Sequence, residues 1–95
     1  MILRLTPAAR GDLRAIFREG VRLFGEQQAR RYLEQLGKEL RFVGDFPQAV
    51  RLRDEFYRPV RVHRFNAHII IFDIVGDEVV VARIRHGHED WTADY

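Results

Sequence analysis

The chain has 95 residues, room for one domain and one modest core, with 46% hydrophobic and 32% charged residues, the balance of a folded rather than a disordered protein. Sixteen Lys+Arg against fourteen Asp+Glu leave a net charge of only +2, a weak argument for nucleic acid, and the absence of cysteine excludes disulfides and thiolate metal sites. No apolar run approaches the roughly 18 residues of a membrane span, and Arg4 breaks the short apolar start, so the expectation is a single cytoplasmic domain over residues 1–95 without membrane contact.

Ile2–Leu5 is short and apolar and reads as a first strand. Thr6-Pro7 then signals a helix start, with Thr6 as N-cap and Pro7 at the first helical position, where a missing N–H costs nothing. Ala9, Leu13, Ile16, Phe17, Val21 and Phe24 trace one face of that helix, while Arg10, Arg14, Arg18 and Arg22 lie off it. Those arginines form a stripe at spacing four, able to meet phosphates or an acidic partner, but Asp12 and Glu19 stand near enough for an ordinary solvated face. Gly25 ends the helix. A second helix is predicted over residues 26–43, with Ala29, Tyr32, Leu33, Leu36, Leu40 and Val43 as its stripe and Gly44 and Pro47 as its stop. The one-residue break between the two implies an antiparallel helical hairpin.

Residues 45–57 show no period and read as a loop, long for so small a domain. Three strands are predicted after it, Val60–Phe65, His68–Val75 and Glu78–His86, joined at Asn66-Ala67 and Gly76-Asp77. The order is β-α-α-β-β-β, an α+β fold with the hairpin on one face of a mostly antiparallel, four-stranded sheet. By alternation Ile69 and Ile71 point opposite to Ile70, Phe72 and Ile74, and Val79 and Val81 opposite to Val80, Ala82 and Ile84. Both faces are therefore apolar and the helices cover one. The other is expected to expose a partner-binding patch unless the loop or the C-terminal tail lies over it.

Arg61, His63, Arg64, Arg83, Arg85, His86 and His88 fall on neighbouring strands or just past the last. Together they could supply the acid, base and cations that metal-independent RNA cleavage needs. Each also has a plain structural reading: Arg61 and Arg64 as solvent-side residues of an edge strand, Arg83 paired with Asp73 or Glu78, and His86 hydrogen-bonded to backbone. His86, His88, Glu89 and Asp90 resemble a metal site only superficially, and no metal or cofactor is expected. Trp91 is either an interface anchor or a cap on the core.

The chain resembles the ParE/RelE toxins of type II toxin–antitoxin, or plasmid stabilisation, systems, and ParE more than RelE. Thr6-Pro7-Ala8-Ala9-Arg10-Gly11-Asp12-Leu13 is similar to the ParE opening, and Phe24-Gly25-Glu26-Gln27-Gln28-Ala29-Arg30-Arg31-Tyr32-Leu33 to the stretch joining its helices. His68-Ile69-Ile70-Ile71-Phe72 resembles a family strand ending in an aromatic pair, with Ile71 in place of the first aromatic. Val79 to His86-Gly87 resembles the last strand, Arg83 included. Pro59 and Asn66 stand at two family glycine positions, and the tail from His88 follows the family loosely.

The resemblance implies a bacterial toxin neutralised by a ParD-like antitoxin, with possible assembly into a larger hetero-oligomer. ParE-like members poison DNA gyrase, which makes the chain a non-enzymatic gyrase inhibitor that does not bind nucleic acid by itself. Its target-binding residues would be Arg61, Arg83, Arg85, His86, His88 and Trp91, and its antitoxin-binding residues Tyr32, Leu36, Phe72 and Ile74. RelE-like members cut mRNA on the ribosome, which would assign Arg61, Arg83 and His86 to catalysis, with Tyr95 as a further analogue. A single lysine, Lys38, weighs against that alternative. A relic that binds antitoxin without potency is the third reading.

Overall fold

A computed structural model describes residues 1–94. Strand β1, Ile2–Leu5, leads into helix α1, Pro7–Phe24, and helix α2, Glu26–Asp45. Four strands follow: β2, Leu52–Arg53, β3, Val60–Phe65, β4, His68–Val75, and β5, Glu78–His86. They form one sheet in the order β1-β5-β4-β3-β2, with β1 parallel to β5 and every other pair antiparallel. The expected architecture stands, with one strand more than expected. Leu52–Arg53 has no period because only two residues pair, against Arg61 and Val60.

The helix start works as its residues dictate and also ties α1 to the sheet. Thr6 Oγ1 accepts from the Ala9 amide at 3.1 Å as an N-cap and donates to the Ala82 carbonyl at 2.7 Å. Gly25 (φ +88°) separates the helices, and they touch at Gly20, where a Cβ would lie 3.2 Å from Ala29 Cβ. Helix α2 does not stop at Gly44 but runs through it. Leu3 packs there, 3.3 Å from where a Cβ would stand, so this glycine serves close approach to β1 rather than termination. Asn66 (φ +52°) and Gly76 (φ +64°) make the two hairpin turns.

The sheet has two apolar faces, as its alternation predicts. Ala9, Leu36, Leu40, Val43, Ile70, Phe72, Val79, Val81 and Ile84 form the core beneath the helices. Ile84 belongs to this face, not the opposite one, because a bulge shifts the register: Ile71 pairs with Arg83 but Phe72 with Val81, leaving Ala82 unmatched. On the second face Val60, Ile69 and Ile71 are covered by Trp91, with Phe56 and Val62 alongside. The chain's own loop and tail thus close the surface on which an exposed patch was the first expectation. Trp91 is 8% exposed, and Arg53 lies over both its ring and that of Phe56, 5.6 and 5.1 Å from the centroids.

Candidate functional site

A cavity of about 760 Å³ opens where the connecting end of the helical hairpin meets the end of the sheet. Ile16, Gly20, Leu23 and Phe24 of α1 and Ala29 and Tyr32 of α2 form its apolar wall, and His68, Ile84 and His86 line it from the sheet. Leu23 and Phe24 are 53% and 62% exposed, which is costly for such side chains unless something covers them. Phe24 was expected to continue the core stripe of α1. The sheet ends before reaching it, so it forms a rim instead.

Imidazoles gather at the polar end of this groove. His68 and His86 pair directly across β4 and β5, with ring centroids 5.0 Å apart, and His88 stacks on His86 at 4.0 Å. Tyr32 Oη lies 2.6 Å from His68 Nδ1. Burial raises the Tyr32 phenol above its ordinary range and lowers His68 below its own, with His86 adding to the second effect and Glu89 opposing it. Both groups are thus neutral near pH 7, and the tautomer of His68 sets which of the two donates. Glu89, held ionised by Arg85 at 2.8 Å and by the His86 amide, ties the tail back to β5. His86 Nδ1 is buried and has no hydrogen-bond partner among the described residues.

A pH dependence of stability follows. The unfolded chain takes up a proton at His68 near the ordinary value of about 6.5, whereas the folded chain does so only at lower pH. Its contribution is complete above that ordinary value, declines as pH falls through it, and levels off below the lowered folded value. Thermal melts at pH 7.5 and 5.5 should show a fall in Tm that His68→Gln reduces. An equal fall in the variant would remove His68 as the cause.

The seven residues expected to converge do not all meet. Arg61 donates to the Val50 carbonyl. It lies opposite Phe72 whereas His86 lies opposite His68, about 13 Å further along β4. His63 is taken by Glu39 at 2.7 Å and stacks near Phe42. Arg83 pairs with neither Asp73 nor Glu78. Its guanidinium grips both carboxylate oxygens of Asp12 at 2.8 and 2.9 Å, and Glu78 takes Arg4 instead. Arg64 lies over Gly87, Arg83, Arg85 and His86 line the groove, and His88 lies against His86. Of the residues expected to meet an antitoxin, Leu36 and Phe72 have no exposed surface because they fill the core, Ile74 is half-buried, and Tyr32 lines the groove. Tyr95 lies outside the described residues. His68 was missed because it reads as an ordinary strand residue. Asp12 was missed as a partner because 71 positions separate it from Arg83.

The opening segment thus has a structural meaning: Thr6 and Asp12 both fasten α1 to β5, Asp12 also accepting from the Ile84 amide at 2.9 Å. That amide lies beyond the end of β1, whose pairing stops at Leu5 opposite Val81. The family model of the ParE toxin of the type II toxin–antitoxin system, parDE, matches residues 3–91. The chain belongs to this family. A solved structure titled "Chromosomal ParDE TA system from P. aeruginosa" is similar with a TM-score of 0.78 at 24% identity, covering 90% of this chain and 95% of that one. At that identity the likeness establishes the shared fold. No curated protein matches the chain. Among the described residues of this ParE-family domain, no group of His, Cys, Asp and Glu is placed to hold a metal, and no helix is long and apolar enough to cross a membrane.

Proposed function

We propose that this ParE-family toxin acts by binding DNA gyrase rather than by cutting RNA, and that a ParD-like antitoxin neutralises it. The observation that carries the first part is the commitment of two arginines to the fold. Arg61 holds the Val50 carbonyl, away from His86, and Arg83, although it lines the same groove as His86, has its guanidinium engaged by both oxygens of Asp12. Cleavage needs cations and proton carriers converging within hydrogen-bond reach of one another. What remains at the tail end of the sheet, Arg85, His86 and His88 beside Glu89, suits recognition of a target surface. Trp91 belongs to the second core, packed with Val60, Ile69 and Ile71.

The groove beside Tyr32 and His68 is the proposed seat of the antitoxin, its exposed Leu23 and Phe24 giving an amphipathic segment something to bury. Paired with its antitoxin, the chain would assemble into a hetero-oligomer in the cytoplasm.

Inducing the chain in bacteria without its antitoxin tests the target directly. Thymidine incorporation should stop before methionine incorporation, with filamentous cells. Early arrest of protein synthesis that His86→Ala relieves would favour the ribosome-dependent RNase. Normal synthesis of both, in cells holding soluble protein, would leave the relic.

A further inference from the structure

The carboxylates that line the groove beside Tyr32 and His68 are each already taken by an arginine. Asp12 is held by Arg83, Glu19 by Arg22 and Glu89 by Arg85. What is left over is basic. Arg31, exposed on the α2 rim with Gln28 and Gln35, forms no ion pair among the described residues. His68 and His86 stand opposite each other on the sheet wall, and His86 Nδ1 has no hydrogen-bond partner among the described residues. Imidazoles this close oppose each other's protonation, because a charge on one disfavours a charge on the next. A negative charge brought against them would lift that penalty.

The rest of the groove offers hydrocarbon. Ile16, Leu23 and Phe24 of α1 and Ala29 of α2 face Ile84 across it, and Leu23 and Phe24 keep more than half of their surface exposed. At about 760 Å³, largely apolar with a few polar groups gathered at one end, the space has the size and make-up of a site for a small organic molecule.

We infer that this groove binds a small amphiphilic organic acid, its carboxylate among Arg31, His68 and His86 and its hydrocarbon tail running toward Leu23 and Phe24. Charge complementarity chooses an acid. A neutral ligand leaves Arg31 and the imidazoles unanswered, and a cation adds to them. The site itself does not depend on the antitoxin. An acid bound there would compete with an antitoxin seated in the same groove, and that consequence alone rests on the function proposed above.

The test titrates the full chain, 15N-labelled, with octanoate, 1-octanol and octylammonium, which share a tail and differ in the head. Octanoate should shift the amides of Leu23, Phe24, Tyr32 and His86 saturably. It should bind at least about fivefold tighter than octanol, with octylammonium the weakest of the three. Decanoate, with two more methylenes to bury, should bind about five- to tenfold tighter than octanoate. Arg31→Gln, at an exposed position, should keep the Tm and lose most of the preference for acid over alcohol. Phe24→Asp, on the exposed rim, should keep the Tm and lose the gain from octanoate to decanoate. Equal affinity for octanoate and octanol, shifts that never saturate, or shifts confined to Phe17 and Leu33 on the outward side of the hairpin would overturn the inference. So would an Arg31→Gln chain that retains the full preference. No antitoxin enters the experiment, so its failure would leave the antitoxin reading untouched.

Discussion

Trp91→Ala should destabilise the chain by about 3–5 kcal/mol, the range for truncating a large buried aromatic. Trp91 closes the second face of the sheet over Val60, Ile69 and Ile71 and meets Phe56 edge-on, with centroids 5.5 Å apart. Removing it exposes three branched apolar side chains and leaves Phe56 without its partner. In a domain of this size the loss amounts to a fall in Tm of about 15 °C or more. Trp91→Phe, which retains an aromatic fill, should cost markedly less. Because Trp91 is the only tryptophan, its emission reports the same event. A blue-shifted spectrum should move to the red in step with the far-UV CD transition. A Tm unchanged in Trp91→Ala would show that the tail does not seal this face. The same contact affects how a truncation must be interpreted. Deleting residues 90–95 removes Trp91, so loss of toxicity would reflect the fold before it reflected the target.

The second large effect is expected at Asp12. Asp12→Ala leaves the Arg83 guanidinium without its bidentate carboxylate and the Ile84 amide without an acceptor. Breaking a buried charge pair costs about 3–5 kcal/mol, but the Arg83 side chain is 36% exposed and water can partly replace the lost partner, so about 2–3 kcal/mol is expected. Urea denaturation should register this as a lower midpoint at unchanged slope. Asp12→Ala in an Arg83→Ala background should cost less than in the wild type, because the guanidinium that the carboxylate grips is already gone. Equal costs in both backgrounds would mean that the pair contributes nothing as a pair. Arg83→Ala is therefore a poor probe of catalysis, since it loosens the joint between α1 and β5 whatever the chain's target.

Much of the architecture could be read before the structure because its signals are local. Thr6-Pro7 sets a helix start through its own backbone geometry, Asn66 and Gly76 set turns through positive φ, and the 3.6-residue and two-residue periods mark faces without reference to any distant residue. The family likeness drew on the same segments, and two of its residues, Thr6 and Asp12, prove to be fastenings between α1 and β5.

Alternation along β4 correctly separated Ile70 and Phe72 from Ile69 and Ile71. It failed on β5 after Ala82, because a bulge is a mismatch between two strands and has no signature in one of them. The two-residue strand Leu52–Arg53 and the continuation of α2 through Gly44 likewise depend on what packs against them.

The site divides along the same line. That arginines and histidines lie near the end of the sheet followed from strand order alone. Which of them stay together depended on partners far away in sequence: Val50 for Arg61, Glu39 for His63 and Asp12 for Arg83. Sequence by itself determined the two helices, four of the five strands, their order and the presence of two apolar faces, since each follows from residues within a few positions of one another. Only the tertiary structure decided that Trp91 covers the second face and that Tyr32, His68 and His86 share a groove, because those contacts form only once the chain has folded back on itself.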